Sequence, residues 1–184
     1  MRKLILSEKA LYHGEVKMPK GFEIDRYFIK ADAIQSSLLL KKRVSDNIYD
    51  HAYDDYQILD TTYINPLVTY VKDFFNLRFR KSLVLEKCWS NIYNANESSR
   101  SRNTVNMLNM KESSDYVLVY GVDVSDKNAT VNIEYNDNRR KGRSWHSPIK
   151  DNHFVMFPSN LKYFISKNNS TNSNTFLTLT FTYI

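Results

Sequence analysis

The 184-residue chain holds one cysteine, Cys88, and only four glycines and four prolines. A single thiol excludes an intrachain disulfide and any cysteine-based zinc cluster. So few glycines leave no phosphate cradle of the nucleotide-binding kind, and HExxH and a defensible Ser-His-Asp spacing are missing too. No apolar run approaches the ~18 residues that cross a bilayer, so no membrane partner is expected. At the N-terminus Arg2-Lys3 precede the apolar triplet Leu4-Ile5-Leu6, and Glu8 and Lys9 follow. That triplet is too short for a secretory core, so synthesis in the cytoplasm is expected. Without secretion, the Asn-x-Ser/Thr triplets at Asn96 and Asn169 are chance features of an Asn- and Ser-rich chain.

What is present is ordinary for one globular domain: 42% hydrophobic and 25% charged residues, enough to bury a core. The net charge is +6, which suits nucleic acid or another acidic partner, but the basic residues are scattered and form no single stripe. The abundance of Asn, Tyr, Lys and Ile beside so little glycine and proline has the look of an AT-rich coding bias.

Hydrophobic periodicity orders the chain. Residues 1–20 alternate weakly and read as one or two short strands. Ala31 to Val44 reads as a helix ending in basic residues that suit the helix dipole. Residues 45–62 are acidic, tyrosine-rich and without period, which predicts a loop or a lid. Apolar residues at Ile64, Leu67, Val68, Val71, Phe74 and Phe75 predict a helix over 65–75, with Asn65 as N-cap and Pro66 at the first helical position. From residue 82 the period becomes two. Strands are expected at 83–93, around Val105 to Asn109, at 116–124, 131–135, 154–157, 161–165 and 177–181. A polar loop, 94–103, and a basic loop, Arg139 to Arg143, separate some of them. Two helices followed by short strands at about ten-residue intervals give a mainly β (α+β) fold. The expectation is a jelly-roll sandwich, one domain over 1–184, with a helical N-terminal part (1–80) packed on one sheet of a strand core (81–184).

Three segments carry a more specific signal: Cys88-Trp89-Ser90-Asn91-Ile92-Tyr93, then Tyr116 to Val124 with Val131 to Asp137, then Phe157-Pro158-Ser159-Asn160-Leu161-Lys162-Tyr163 with Phe176 to Thr182. In order and spacing, residues 80–184 resemble the 2-oxoglutarate/iron(II) oxygenases related to prolyl hydroxylases and common in phage genomes. The resemblance implies a double-stranded β-helix. It also implies metal ligands in the loop after Trp-x-Asn-x-Tyr, a distal histidine after Phe-Pro-Ser, and a carboxylate-gripping arginine at the start of the closing strand. Here the loop positions fall on Arg100 and Arg102, the distal position on Tyr163 and the arginine position near Phe176. A facial triad needs two histidines and a carboxylate, and a guanidinium cannot ligate iron. His146, His153 and Asp151 bracket one region where a triad could be rebuilt; histidines hydrogen-bonded near a turn are the plainer reading.

The remaining signals are surface features. Arg139, Arg140, Lys141 and Arg143 with Trp145 could hold phosphate and stack a base, or form a solvated turn that discourages edge pairing. Tyr49, Tyr53 and Tyr56, with Tyr63, suit an interface or pack over the sandwich edge. The missing ligands predict no cofactor, no metal and no catalysis. The expected function is a non-catalytic structural subunit of a phage particle, in the neck, tail or baseplate. Its expected partners are other protein subunits, with an acidic protein surface or nucleic acid at the basic loops. Two alternatives stand beside it: an iron(II)/2-oxoglutarate hydroxylase with unusual ligands, and a basic nucleic-acid-binding accessory protein.

Overall fold

The computed structural model describes residues 9–43, 56–57, 62–105, 113–138 and 141–184. The elements run β1 (Tyr12–Glu15), α1 (Arg26–Arg43), β2 (Tyr56–Gln57), a 3-10 turn (Thr62–Ile64), α2 (Asn65–Phe79), β3 (Leu83–Tyr93), β4 (Tyr116–Asp123), β5 (Thr130–Asn138), β6 (Lys141–Pro148), β7 (His153–Pro158), β8 (Lys162–Ile165) and β9 (Asn174–Tyr183). All described pairings are antiparallel. They build a six-stranded sheet, β1-β7-β4-β9-β3-β2, and a three-stranded sheet, β6-β5-β8.

The large sheet is buried on both faces, which explains its almost continuous apolar strands. Leu118, Tyr120, Met156, Leu177, Leu179 and Phe181 point to the helices and meet Ile29 of α1 and Leu67, Val68, Val71 and Phe75 of α2. The alternate residues Val117, Val119, Val155, Phe157 and Phe176 point the other way and meet Val131, Ile133, Tyr163 and Ile165 of the small sheet. A period of two thus feeds two separate cores from one strand. The helices pack on one sheet, as expected, and the architecture is the double-stranded β-helix. No described helix is long and apolar enough to cross a membrane.

Several boundaries differ from expectation. Helix α1 begins five residues before Ala31, because the Asp25 carboxylate accepts the Phe28 amide (3.2 Å) and starts the helix at Arg26. Two long-range ties then seat that first turn: Arg26 Nη1 donates to the Val122 carbonyl (2.9 Å) and pairs with Asp151 (3.0 Å), and Lys30 pairs with Asp123. In α2 the N-cap is Ile64 and not Asn65, with no side-chain cap; the helix runs on to Phe79, where Arg80 (φ 54°) turns left-handed and its amide caps Asn76. The basic loop is half a strand: Lys141, Gly142 and Arg143 open β6 and pair with Asn138, Asn136 and Tyr135 of β5. In 45–62, expected to be a loop, Tyr56–Gln57 pairs with Trp89 and Ser90 as an edge strand. The strand expected at 105–109 falls mostly outside the described residues, as do Tyr49, Tyr53, Arg139 and Arg140.

Candidate functional site

Strand β3 ends at Tyr93, and the chain turns through Asn94–Glu97. The Glu97 carboxylate accepts the Asn94 amide (2.7 Å) and the Asn94 side chain (3.1 Å). Asn168 anchors this turn from the opposite side. Its main chain exchanges bonds with Glu97 and Asn96 (both 2.8 Å), and its Nδ2 donates to the carbonyls of Tyr93 (3.0 Å) and Asn172 (2.7 Å). The chain then runs beside β8. Ser99 N donates to Ile165 O (3.3 Å), and Arg102 and Tyr163 exchange both backbone bonds (2.9 and 2.8 Å). The polar loop expected over 94–103 therefore supplies a fourth rung on the small sheet.

The Phe157-Pro158-Ser159 segment aims Tyr163 from the other direction. Leu161 N closes a turn on Pro158 O (3.1 Å), while Ser159 N bonds Asp115 O (2.9 Å) and its hydroxyl bonds Ser114 O. Tyr163 lands between the sheets, fully buried, with its ring 5.1 Å from that of Phe157. The Arg102 guanidinium lies over the Tyr163 ring at 5.6 Å, a cation–π arrangement. Phe176, also fully buried, packs against Tyr93 with ring centroids 6.0 Å apart.

The structure thus brings Arg102, Tyr163 and Phe176 into one inter-sheet region. Arg100 does not join them; it is exposed. Strand register extends the region. Trp145 pairs with Ile133, Ile133 with Tyr163, and Tyr163 with Arg102, which makes one row across the small sheet. Directly opposed residues share a face, so this row points inward. The next row carries Arg143 opposite Tyr135. Two adjoining cavities lie against these rows. One, of about 670 Å³, is lined among others by Lys9, Asn103, Arg143, Asn160 and Lys162. The second, of about 210 Å³, is lined by Lys9, Ala10, Leu11, Ile133, Tyr135, Trp145 and Leu161. Of the residues expected at an interface, Trp145 and Arg143 face these cavities; the sequence placed them in or beside a turn, because nothing in Lys-Gly-Arg-Ser-Trp-His alternates as a buried strand does.

The described residues do not fit an iron centre of the facial-triad kind. Among them no three His, Cys, Asp or Glu side chains converge. The positions that the resemblance assigns to iron ligands hold two guanidinium groups and a phenol, and the position of the carboxylate-gripping arginine holds a phenyl ring. The second candidate group is engaged elsewhere: Asp151 pairs with Arg26 and accepts the Val124 amide (2.6 Å), His153 Nδ1 donates to Asp151 O (2.8 Å), and His146 contacts Asn132.

Three ionisable groups outside this region are shifted. Burial pushes the Cys88 thiol up to about 12, with the Asp32 carboxylate adding to it. Burial also raises Tyr120, against the neighbouring Arg26 and with the help of Asp151. For Asp126, burial opposes the carboxylate, but the amides of Asn169 and Asn128 and the Asn169 side chain outweigh it and hold its pKa below the usual value. These groups stabilise turns and the helix-side core.

No protein-family model matches the chain, and no curated protein sequence does. Solved structures do. A prolyl-4-hydroxylase from Pseudomonas putida is similar at 10% identity and a TM-score of 0.54, covering 95% of this chain and 92% of that one. A prolyl hydroxylase from Trichoplax adhaerens, in complex with a hypoxia inducible factor peptide, is similar at 10% identity and 0.57, covering 94% and 83%. A 2OG-Fe(II) oxygenase family oxidoreductase from Burkholderia pseudomallei is similar at 12% identity and 0.54; there 68% of this chain spans 59% of the other. These likenesses overturn the expectation of a non-catalytic phage subunit: the structures that share the fold are oxygenases, and nothing in the likeness points to a virion. At such identity the likeness establishes architecture, and the architecture is the double-stranded β-helix fold of the 2-oxoglutarate/iron(II) oxygenases.

Proposed function

We propose that the chain is an iron(II)/2-oxoglutarate-dependent hydroxylase with an unusual ligand set. The observation that carries this reading is the structural likeness to prolyl hydroxylases over about 95% of the chain. A fold does not by itself give a reaction, so the ligand question must be met directly. The described residues offer no triad, and the reading therefore requires at least one ligand from outside them. Those stretches contain residues of suitable chemistry: His51, with Asp46, Asp50, Asp54 and Asp55 around it, and Glu112. No step of the reaction is assigned to Arg102 or Tyr163, whose side chains are stacked on each other.

Anaerobic calorimetric titration with iron(II), then with 2-oxoglutarate, tests the reading. One iron per chain, followed by co-substrate binding, is the expected result, and His51→Ala should abolish iron binding while leaving the thermal melt unchanged. Absence of stoichiometric iron in the intact protein overturns it.

A further inference from the structure

Strand β1 closes one end of the six-stranded sheet. It pairs with β7 and, among the described residues, with nothing on its other side. The alternation of an antiparallel ladder says which groups that leaves open. The Val16 amide donates to Asn152 O (2.9 Å), in step with the opposed pairs Gly14–Phe154 and Tyr12–Met156. Tyr12, Gly14 and Val16 therefore turn their amides and carbonyls toward β7, and His13 and Glu15 turn theirs outward. The side chains of His13 and Glu15 are exposed and stand on the sheet face that carries Val155 and Val119. Neither belongs to an ion pair among the described residues. Glu15 stands opposite His153 of β7, whose Nδ1 is already bonded to Asp151 O (2.8 Å).

An open edge is a template for another strand, and charges on it discourage pairing only where like meets like. A second copy of β1 meets that condition in one register. Twofold pairing centred on His13 or on Glu15 sets a residue opposite itself, carboxylate against carboxylate in the second case. Pairing centred on Gly14 sets His13 opposite the second copy's Glu15, and Glu15 opposite the second copy's His13. Both are then hydrogen-bonded pairs, so four backbone bonds form and each imidazole meets a carboxylate. The two glycines meet on the axis as the close, non-hydrogen-bonded pair. Among the described residues no heavy atom lies within 4 Å of the place a Cβ would take at Gly14, so this crossing point is unobstructed. Along the same edge runs a groove of about 760 Å³ between β1 and α2, with the half-buried rings of Tyr12, Tyr70, Phe74 and Phe79 on its wall. Apolar surface beside the strand supplies what four hydrogen bonds alone do not. We propose that two copies of this chain pair through β1 into a twofold dimer with one continuous sheet. The proposal does not depend on iron or on the oxygenase reading.

Sedimentation velocity on the full chain from about 1 to about 100 μM tests it, a range that spans micromolar association. The expected result is a monomer–dimer equilibrium. Glu15→Arg sets a guanidinium opposite His13, and His13→Glu sets carboxylate against carboxylate. Each should raise the dimer's Kd about tenfold, because a twofold interface meets every change twice. The double variant His13→Glu/Glu15→Arg restores opposite charges and should return to within about threefold of the wild type. Both side chains are exposed, so the monomer fold should stand, which far-UV circular dichroism checks. Amide exchange by NMR is the second readout. The His13 and Glu15 amides should be protected in the dimer and lose protection on dilution or in Glu15→Arg, while the Gly14 and Val16 amides, turned to β7, stay protected in both. A chain that is monomeric across the range overturns the proposal, whatever then covers the edge. A dimer whose Kd is indifferent to both single substitutions also overturns it, by assigning the contact to another surface.

Discussion

Asn168 offers the sharpest test of how the inter-sheet region is held. It is 1% exposed, and its side chain makes four hydrogen bonds. Nδ2 donates to Tyr93 O (3.0 Å) and Asn172 O (2.7 Å); Oδ1 accepts the Ser170 amide (3.0 Å) and hydroxyl (2.8 Å). Asn168→Ala removes all four. The two lost Nδ2 bonds leave carbonyls facing a cavity, at about 1 kcal/mol or more each, while half-buried Ser170 recovers part of its loss from water. The expected cost is about 3 kcal/mol, which with a urea slope of ~2 kcal/mol/M lowers the midpoint by about 1.5 M. Asn168→Asp separates bonding from volume. It has the same shape, but puts a carboxylate oxygen against two carbonyls where a donor stood. At pH 7 it should be at least as destabilised as the alanine variant. The carbonyls raise the new carboxyl's folded-state pKa above the unfolded value, so the protonated form, able to donate, is favoured by folding. Stability relative to wild type should therefore recover as pH falls toward the unfolded carboxylate pKa and be lost as pH rises. Wild-type stability of Asn168→Asp at pH 7 would refute the reasoning, because the donor role of Nδ2 would then be idle.

Four further outcomes follow from the geometry. Gly121→Ala would drive a Cβ into the Lys150 carbonyl oxygen, a backbone atom that cannot swing aside, so a loss of about 3 kcal/mol or more is expected in urea unfolding. Asp126, whose folded pKa is lowered, contributes stability that is present above its unfolded pKa and lost as pH falls through the folded one; Asp126→Ala should flatten the acid limb of a stability–pH curve below about pH 4. Cys88, buried with its pKa raised to about 12, should resist a thiol reagent at pH 8 in the native protein and react at once in denaturant. Lys30→Ala, which removes a half-exposed pair with Asp123, should cost no more than about 1 kcal/mol, read as a small, salt-sensitive shift of the melt.

Legibility in the sequence followed how each element is buried. Strands β3, β4, β5, β7, β8 and β9 were readable because at least one face enters a core, and burial enforces a period of two or an apolar run. Helix α2 was readable because Leu67, Val68, Val71 and Phe75 form one buried stripe. Its N-cap was not, since the 3-10 turn at Thr62–Ile64 delivers the chain directly into the helix and Asn65 is already inside it. Strand β6 was hidden: it is an edge strand whose inner face opens on a cleft, so nothing required its residues to be apolar. The start of α1 was hidden as well, because Arg26 and Lys30 seat its first turn through partners about a hundred residues away in sequence. Arg102 and Tyr163 could be placed by motif, but their stacking is a tertiary fact.

The fold and the chemistry of this protein rest on different atoms. The likeness to the oxygenases is carried by backbone pairing and by two apolar cores, which tolerate exchange of almost every side chain if volume and alternation are kept. Chemistry in any such fold is carried by a few side chains, which the likeness leaves open. On the inward face of the small sheet the chain has placed a guanidinium over a phenol ring, at positions where the resemblance would put metal ligands. The rings of Tyr163 and Phe157, and those of Phe176 and Tyr93, pack between the two sheets. Iron that binds the folded chain and not the unfolded one raises the melt by an amount that grows with RT ln(1 + c/Kd), where c is the free iron concentration, so a melt that does not move when iron(II) is added or stripped counts against the oxygenase reading.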